Sequence, residues 1–150
     1  MYYFLLAMML FVGALLLIPK FLYKKFFIYG FLLGGVPNVA LIVVAGGVFH
    51  LFKYLNLGPL GIWGLFSIWT PVAWTFTFML YLYFLPVRKF FYYPYILCFV
   101  FLGYLTGQAL KGLGLFVLQD SYAYFEPLTF IIWFGATAWI YYRAERVALK

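Results

Sequence analysis

The chain has 150 residues, of which 69% are hydrophobic and only 9% charged, and its mean hydropathy is +1.07. A soluble domain carries about 25% charged residues. Too little polar surface exists here to coat a globule in water, so a bilayer is the expected solvent and one membrane domain spanning 1–150 is the expected organisation. The net charge of +7 does not point to nucleic acid, because the basic residues stand in short clusters between apolar runs, the pattern of membrane topology.

A membrane-spanning helix needs about 20 mainly apolar residues. Five segments qualify, over about 2–19, 26–52, 61–85, 90–115 and 124–142. The fold class expected is therefore all-α, a polytopic membrane helix bundle. The first segment opens MYYFLLAMML, without the basic start of a signal peptide. Its positive charges, Lys20, Lys24 and Lys25, follow the run, and it reads as a retained helix ending at Pro19.

The second segment holds 24 residues without formal charge, Phe26 to Phe49, and leaves through His50 and Lys53. It carries Gly30-x-x-x-Gly34, a spacing that lets helices approach closely. Pro37 removes a backbone donor and frees the carbonyl of Leu33, with Asn38 beside it. Turn-rich Asn56-Leu-Gly58-Pro59-Leu-Gly61 separates the second segment from the third.

In the third segment Pro71 frees the carbonyl of Ser67. Ser67, Thr70, Trp74, Thr77 and Tyr81 recur at 3-4-3-4 spacing, a mildly polar stripe facing protein or a wet cavity rather than lipid. It reads either as interhelical hydrogen bonding or, with Asn38, as a polar conduit or ligand groove. Pro86-Val-Arg88-Lys89 leads into the fourth segment, which carries Cys98, Gly103-x-x-x-Gly107, Gln108 and Lys111. Gln119-Asp120-Ser121 leads into the fifth. A single cysteine excludes an intrachain disulfide. Only 16 residues lie between Pro127 and Tyr142, so the fifth helix is expected to begin near Tyr122, with Glu126 about one turn inside the boundary. A Lys111–Glu126 ion pair would relieve two costly charges. Glu126 before Pro127 also suits a helix N-terminus.

Five crossings place Lys20, Lys24, Lys25, Arg88, Lys89, Arg143, Arg146 and Lys150 on one side, and Lys53 and Lys111 on the other. The positive-inside bias then puts the N-terminus outside and the C-terminus in the cytoplasm, with tyrosines and tryptophans near the boundaries as interfacial anchors. Lys24-Lys25-Phe26-Phe27-Ile28-Tyr29 resembles Arg88-Lys89-Phe90-Phe91-Tyr92-Tyr93 at an offset of 64. A duplication or two ordinary helix starts would both produce it.

The acid–base capacity outside the cytoplasmic clusters gathers at the outer face: His50, Lys53, Lys111, Asp120 and Glu126. It reads as capping and pairing, or as a ligand or catalytic site. Glu145, between Arg143 and Arg146, reads as a solvated helix end. No zinc-ligand spacing, Gly-rich phosphate loop, nucleophile elbow or bis-histidine haem set is present, so no cofactor and no metal are expected.

The stretch SIWTPVAWTFTFMLYLYFLP (Ser67–Pro86) and the C-terminal YYRAERVALK give the chain a resemblance to small five-span membrane proteins of Gram-positive, spore-forming bacteria. The resemblance implies a bacterial cytoplasmic membrane and a compact helical bundle, and implies no activity. The expected role is non-enzymatic: association with itself as a homo-oligomer, with a larger membrane complex, or with membrane lipids. The alternatives are a small transporter or channel along the polar stripe, and a lipid-modifying enzyme using the outer His/Glu/Lys site.

Overall fold

Long runs of apolar residues leave backbone amides no partner but one another, and the chain is accordingly mostly helical. A computed structural model gives the fold. It describes residues 2–58 and 60–146, with the backbone alone at Lys89 and Ser121. Pro59 of the expected turn and Lys150 of the basic cluster lie outside the described residues.

Five long helices and one short one follow in order: α1 Tyr2–Leu17, α2 Lys20–Val48, α3 Trp69–Tyr83, α4 Lys89–Gly112, the short α5 Asp120–Ala123, and α6 Glu126–Glu145. α2 and the Phe90–Gly112 part of α4 are long and apolar enough to cross a membrane, and α1 is a shorter apolar helix.

Three apolar segments do not stay helical to their ends. The 26–52 segment leaves its helix at Val48, and the 90–115 segment at Gly112. The 61–85 segment becomes helical only at Trp69. The residues beyond form β1 Phe52–Tyr54, β2 Gly61–Ile62, β3 Phe66–Ser67 and β4 Phe116–Leu118. β1 pairs antiparallel with β4, Phe52 opposite Leu118, and β2 with β3, Gly61 opposite Ser67. The all-α expectation is thus refined to a helical bundle carrying two small antiparallel ribbons. Hydropathy could not separate them, because a short apolar run reads alike as buried strand or helix. The period of two shows only in burial: Phe52 and Tyr54 point inward and Lys53 outward, Phe116 and Leu118 inward and Val117 outward.

The two prolines differ in consequence. Pro71 falls in the first turn of α3, where no intrahelical N–H bond is required. Pro37 lies inside α2 between two widened, π-type stretches, Phe31–Gly35 and Ile42–Val48. The wide turns carry the helix past the missing donor. The carbonyl of Leu33, freed by Pro37, accepts a hydrogen bond from Trp133 Nε1 of α6 at 2.8 Å.

α3 is the central column. α1 and α2 pack against it along their lengths, while α4 packs on α6. The α2–α3 seam is bare backbone: a Cβ on Gly30 would lie 2.5 Å from the Thr75 carbonyl oxygen, and one on Gly34 would lie 2.7 Å from the Trp74 carbonyl oxygen. On the other side α3 meets α6 through stacked rings, Phe78 on Phe134 at 4.8 Å and on Trp133 at 5.0 Å. Tyr81, fully buried, donates to the Phe134 carbonyl at 3.0 Å, and its own carbonyl accepts from Tyr95 of α4 at 2.7 Å.

At the end of the bundle rich in basic residues, Lys25 of α2 pairs with Glu145 of α6, and Tyr29 donates to Glu145 Oε1 at 2.9 Å. Glu145 is therefore a partnered group and not the solvated helix end expected of it. Its burial is slight, and its two bonded neighbours outweigh it. The Lys25 ammonium, hydrogen-bonded to it, holds its carboxyl below the ordinary glutamate range.

Two predictions follow from these contacts. Gly30→Ala should lower unfolding free energy in detergent by about 1–3 kcal/mol, as overpacking does. Gly135→Ala, whose Cβ would meet nothing within 4 Å, should be neutral or stabilising by up to about 1 kcal/mol. Equal effects would show that the α2–α3 seam is not close-packed. Because the folded-state pKa of Glu145 is depressed, its contribution to stability is complete above its unfolded value of about 4.3. It is lost as pH falls from there through the folded value. Unfolding midpoints against pH should show this acid loss in the wild type and a smaller one in Glu145→Gln.

Candidate functional site

The ribbon end of the bundle is tied together by main-chain acceptors. Tyr3 of α1, deeply buried, donates to the carbonyls of Leu55 at 2.9 Å and Leu115 at 2.6 Å. The Gln119 N–H donates to the Leu51 carbonyl at 2.9 Å. The rings of Phe52, Tyr54 and Phe116 pack edge-on or tilted against one another beneath this ribbon.

Under it lies a cavity of about 190 Å³ between α1, α3, α4 and α6. Its walls are mostly apolar and aromatic, with Trp74, Phe99 and Phe130 among them, and its polar groups include Thr70, Thr77 and Glu126. A second gap of about 40 Å³ adjoins it, reached by Asn38 and Tyr122, and shares Tyr54, Trp74, Phe116, Phe130 and Glu126 with the first. Glu126 therefore stands on the border of both.

Glu126 is the first residue of α6, with Pro127 following in the first turn. The helix starts later than the expected Tyr122, because Asp120–Ala123 forms a separate short turn of helix. Glu126 is only 4% exposed. Its Oε2 accepts a hydrogen bond from Gln108 Nε2 at 3.2 Å. Gly107 makes the space: a Cβ there would sit 2.4 Å from Glu126 Oε1. Gly103 faces the Phe130 ring of the same helix at 3.3 Å. Both glycines of the Gly103-x-x-x-Gly107 pair thus face α6.

The expected Lys111–Glu126 ion pair does not form. Lys111 is exposed, and the one ion pair among the described residues is Lys25–Glu145 at the opposite end. Gln108, three residues earlier on α4, takes the place. An amide supplies a donor without a second charge to desolvate, whereas burying both ions carries a large penalty. His50, Lys53 and Asp120 are exposed as well. Of the five ionisable residues expected to cluster at this face, only Glu126 enters the interior. Among the described residues no group of three His, Cys, Asp or Glu side chains could hold a metal ion.

The polar stripe is divided. Thr70 and Thr77 border the larger cavity, and the Thr77 hydroxyl donates to the Ala73 carbonyl at 2.9 Å. Ser67 is buried in β3, beside a different gap that it shares with Tyr3 and Trp69. Asn38 borders the smaller gap from α2. Thr70 Oγ1 and Asn38 Oδ1 are buried without a hydrogen-bond partner among the described residues, in residues 6% and 2% exposed. Buried polar atoms are almost always partnered, so two orphans beside one carboxyl mark this region as unusual.

His50 has a conformational role. Its φ is 52°, in the left-handed region, where α2 ends and the chain turns back. The Leu51 N–H closes onto the Ala45 carbonyl at 2.8 Å and the Phe49 N–H onto Val44 at 3.0 Å, a widened helix stop. Histidine enters this region more readily than most residues.

Residue spacing did not reveal Tyr3, Gln108 or Trp133 as bonding partners. The signal for Trp133 was the free Leu33 carbonyl, which a buried indole N–H can satisfy. No protein-family model, no curated protein and no solved structure matches this chain.

His50→Gly should keep or raise the unfolding midpoint, since glycine adopts this φ without strain. His50→Val should cost about 1–2 kcal/mol. A midpoint for His50→Gly well below the wild type would assign the imidazole a contact of its own.

Proposed function

We propose that the chain is a five-span protein of a bacterial cytoplasmic membrane, N-terminus outside, that works by holding a membrane-soluble molecule in the Glu126 cavity without covalent chemistry. The observation that carries this reading is the cavity itself, roofed by the ribbon and bordered by one buried carboxyl and the orphaned Thr70 hydroxyl, with the orphaned Asn38 amide oxygen in the adjoining gap. Residues that line small-molecule sites are mostly apolar and aromatic with a few convergent polar groups, and this lining matches.

The membrane setting is supported by surface chemistry. Met9, Leu16, Phe101 and Ile132 are exposed on the helix flanks, and Phe21, Trp63, Phe90 and Tyr124 are exposed at helix ends or in the turns beyond them. That is the layout of a lipid-facing belt with aromatic anchors. α1 and α3, at 16 and 15 residues, are about 24 and 22 Å long, short of a core of about 30 Å. The ribbons continue the protein beyond α3, with the facing backbone groups of their strands paired.

Self-association through glycine seams finds less support, because Gly30, Gly34, Gly103 and Gly107 each face another helix of the same chain. A conduit along the polar stripe also finds less, since Ser67 and Asn38 lie off the cavity that Thr70 and Thr77 border. An acid–base site is weakened by the exposure of His50 and Asp120 away from Glu126.

Two measurements test the proposal. In a Cys98→Ser background, a single cysteine at Asn56 should react with an impermeant thiol reagent from outside, and one at Arg143 only after permeabilisation. The reverse labelling would invert the topology. Native mass spectrometry from nanodiscs should show a retained molecule on the wild type and its loss in Leu10→Trp, which fills the cavity from α1. Retention undiminished by Leu10→Trp would move the binding elsewhere.

A further inference from the structure

We infer that the Glu126 cavity takes a small lipophilic cation, an ammonium compound with an aromatic or branched alkyl body, its charge set against the Glu126 carboxylate. The inference rests on the cavity reading above and names the ligand class.

A carboxylate offers about four acceptor positions, and one hydrogen bond in the protein, from Gln108, reaches Glu126. No lysine, arginine or histidine among the described residues lies within ion-pair distance of it. The groups around it are neutral: Gln108 and Gly107 from α4, Tyr54 from β1, Tyr122 from α5 and Asn38 from α2. Lys111 of α4 acts on it through space, but it is exposed and makes no ion pair with it. An isolated buried carboxyl is stable only when protonated or when a cation joins it. Among the described residues no cation touches it, so the site has room for one from outside.

The walls select the same sign of charge. Trp74, Phe130, Tyr54 and Phe116 border the space around Glu126. Ring faces attract cations, most strongly where water is excluded. An anionic headgroup would meet the carboxylate with no positive side chain to offset it. A neutral apolar molecule would fit the walls and leave the carboxyl and the Thr70 hydroxyl uncompensated.

Size and access agree. Roughly 150 Å³ of apolar cavity accommodates benzene, so about 190 Å³ suits a substituted ring with a compact ammonium group. α1 packs on α3 and α4 packs on α6, leaving the α1–α4 side without an extensive seam. Met9 of α1, 65% exposed, and Leu102 of α4 border the cavity at that side. A lipid-dissolved amphiphile can enter there laterally.

The test uses benzyltrimethylammonium and its uncharged carbon isostere, neopentylbenzene, titrated against full-length protein in nanodiscs and read by tryptophan fluorescence. Comparing wild type with Glu126→Gln for each probe cancels partitioning into lipid. The expected result is a loss of ten-fold or more in benzyltrimethylammonium affinity on Glu126→Gln, with neopentylbenzene affinity unchanged within two-fold. Equal cation affinity in both proteins overturns the inference. So does a wild type that binds neopentylbenzene alone, an outcome that leaves the cavity reading standing. A wild type that binds neither probe overturns both. If Glu126→Gln binds neither because its fold is lost, Glu126→Asp decides. Retention of both probes there supports the inference, and loss of the cation alone overturns it.

Discussion

The constraint on which this fold depends is the environment of α3. Part of its surface must accept the bare backbone of α2 and part the rings of α6, with Phe78 lying against both Gly34 and Phe134. Gly30, Gly34 and Gly35 leave no Cβ at three points on the α2 side of the contact, so there the helices meet at carbonyl distance. In lipid, helices gain little from hydrophobicity when they associate, and close packing with interhelical hydrogen bonds takes over that role. Phe78, Phe134 and Trp133 then fill the wider space on the other side with stacked rings. A small-residue seam and a large-residue slab on one 15-residue helix fix its rotation.

A dry interior also demands that each polar group find its partner inside the protein. Most do so across helices. The Leu33 carbonyl, freed by Pro37, takes the Trp133 indole. Tyr81 and Tyr95 form a relay of hydroxyl to carbonyl that joins α4, α3 and α6. Tyr3 closes α1 onto two ribbon carbonyls. Thr75 and Thr77 turn their hydroxyls back onto their own helix. Against that background Glu126, Thr70 and Asn38 stand out, because they are left short of partners in one region.

The helical character of the chain was legible because long apolar runs leave backbone amides no partner but one another, although three of the five runs are not helical to their ends. The glycine pairs were legible because spacing of four is a property of one helix face. The ribbons were not, since Phe52, Tyr54, Phe116 and Leu118 are as apolar as the helices they follow. Partner choice was least legible. Glu145 finds Lys25 and Tyr29 more than a hundred residues away, and Trp133 finds Leu33 a hundred residues away. In the candidate site, Glu126 was visible as a misplaced charge, and Lys111 was its obvious counterpart by sign. Sign is a poor guide where desolvation outweighs attraction. Gln108 supplies a hydrogen bond there without the cost of burying a second charge.

Gly107 joins these two themes. On α4 it belongs to the same four-residue spacing that elsewhere serves backbone approach, yet what it admits is a carboxyl oxygen rather than a neighbouring helix. Had the packing of α4 on α6 been the sole requirement, an alanine at 107 with an apolar residue at 126 would have met it at lower desolvation cost. The chain instead keeps a glycine opposite a glutamate, at the first residue of α6, under the ribbon and beside an aromatic cavity. A buried charge is weak evidence for stability. Its presence in a bundle already held by glycine seams and stacked rings is what the proposed cationic ligand of that carboxyl would account for.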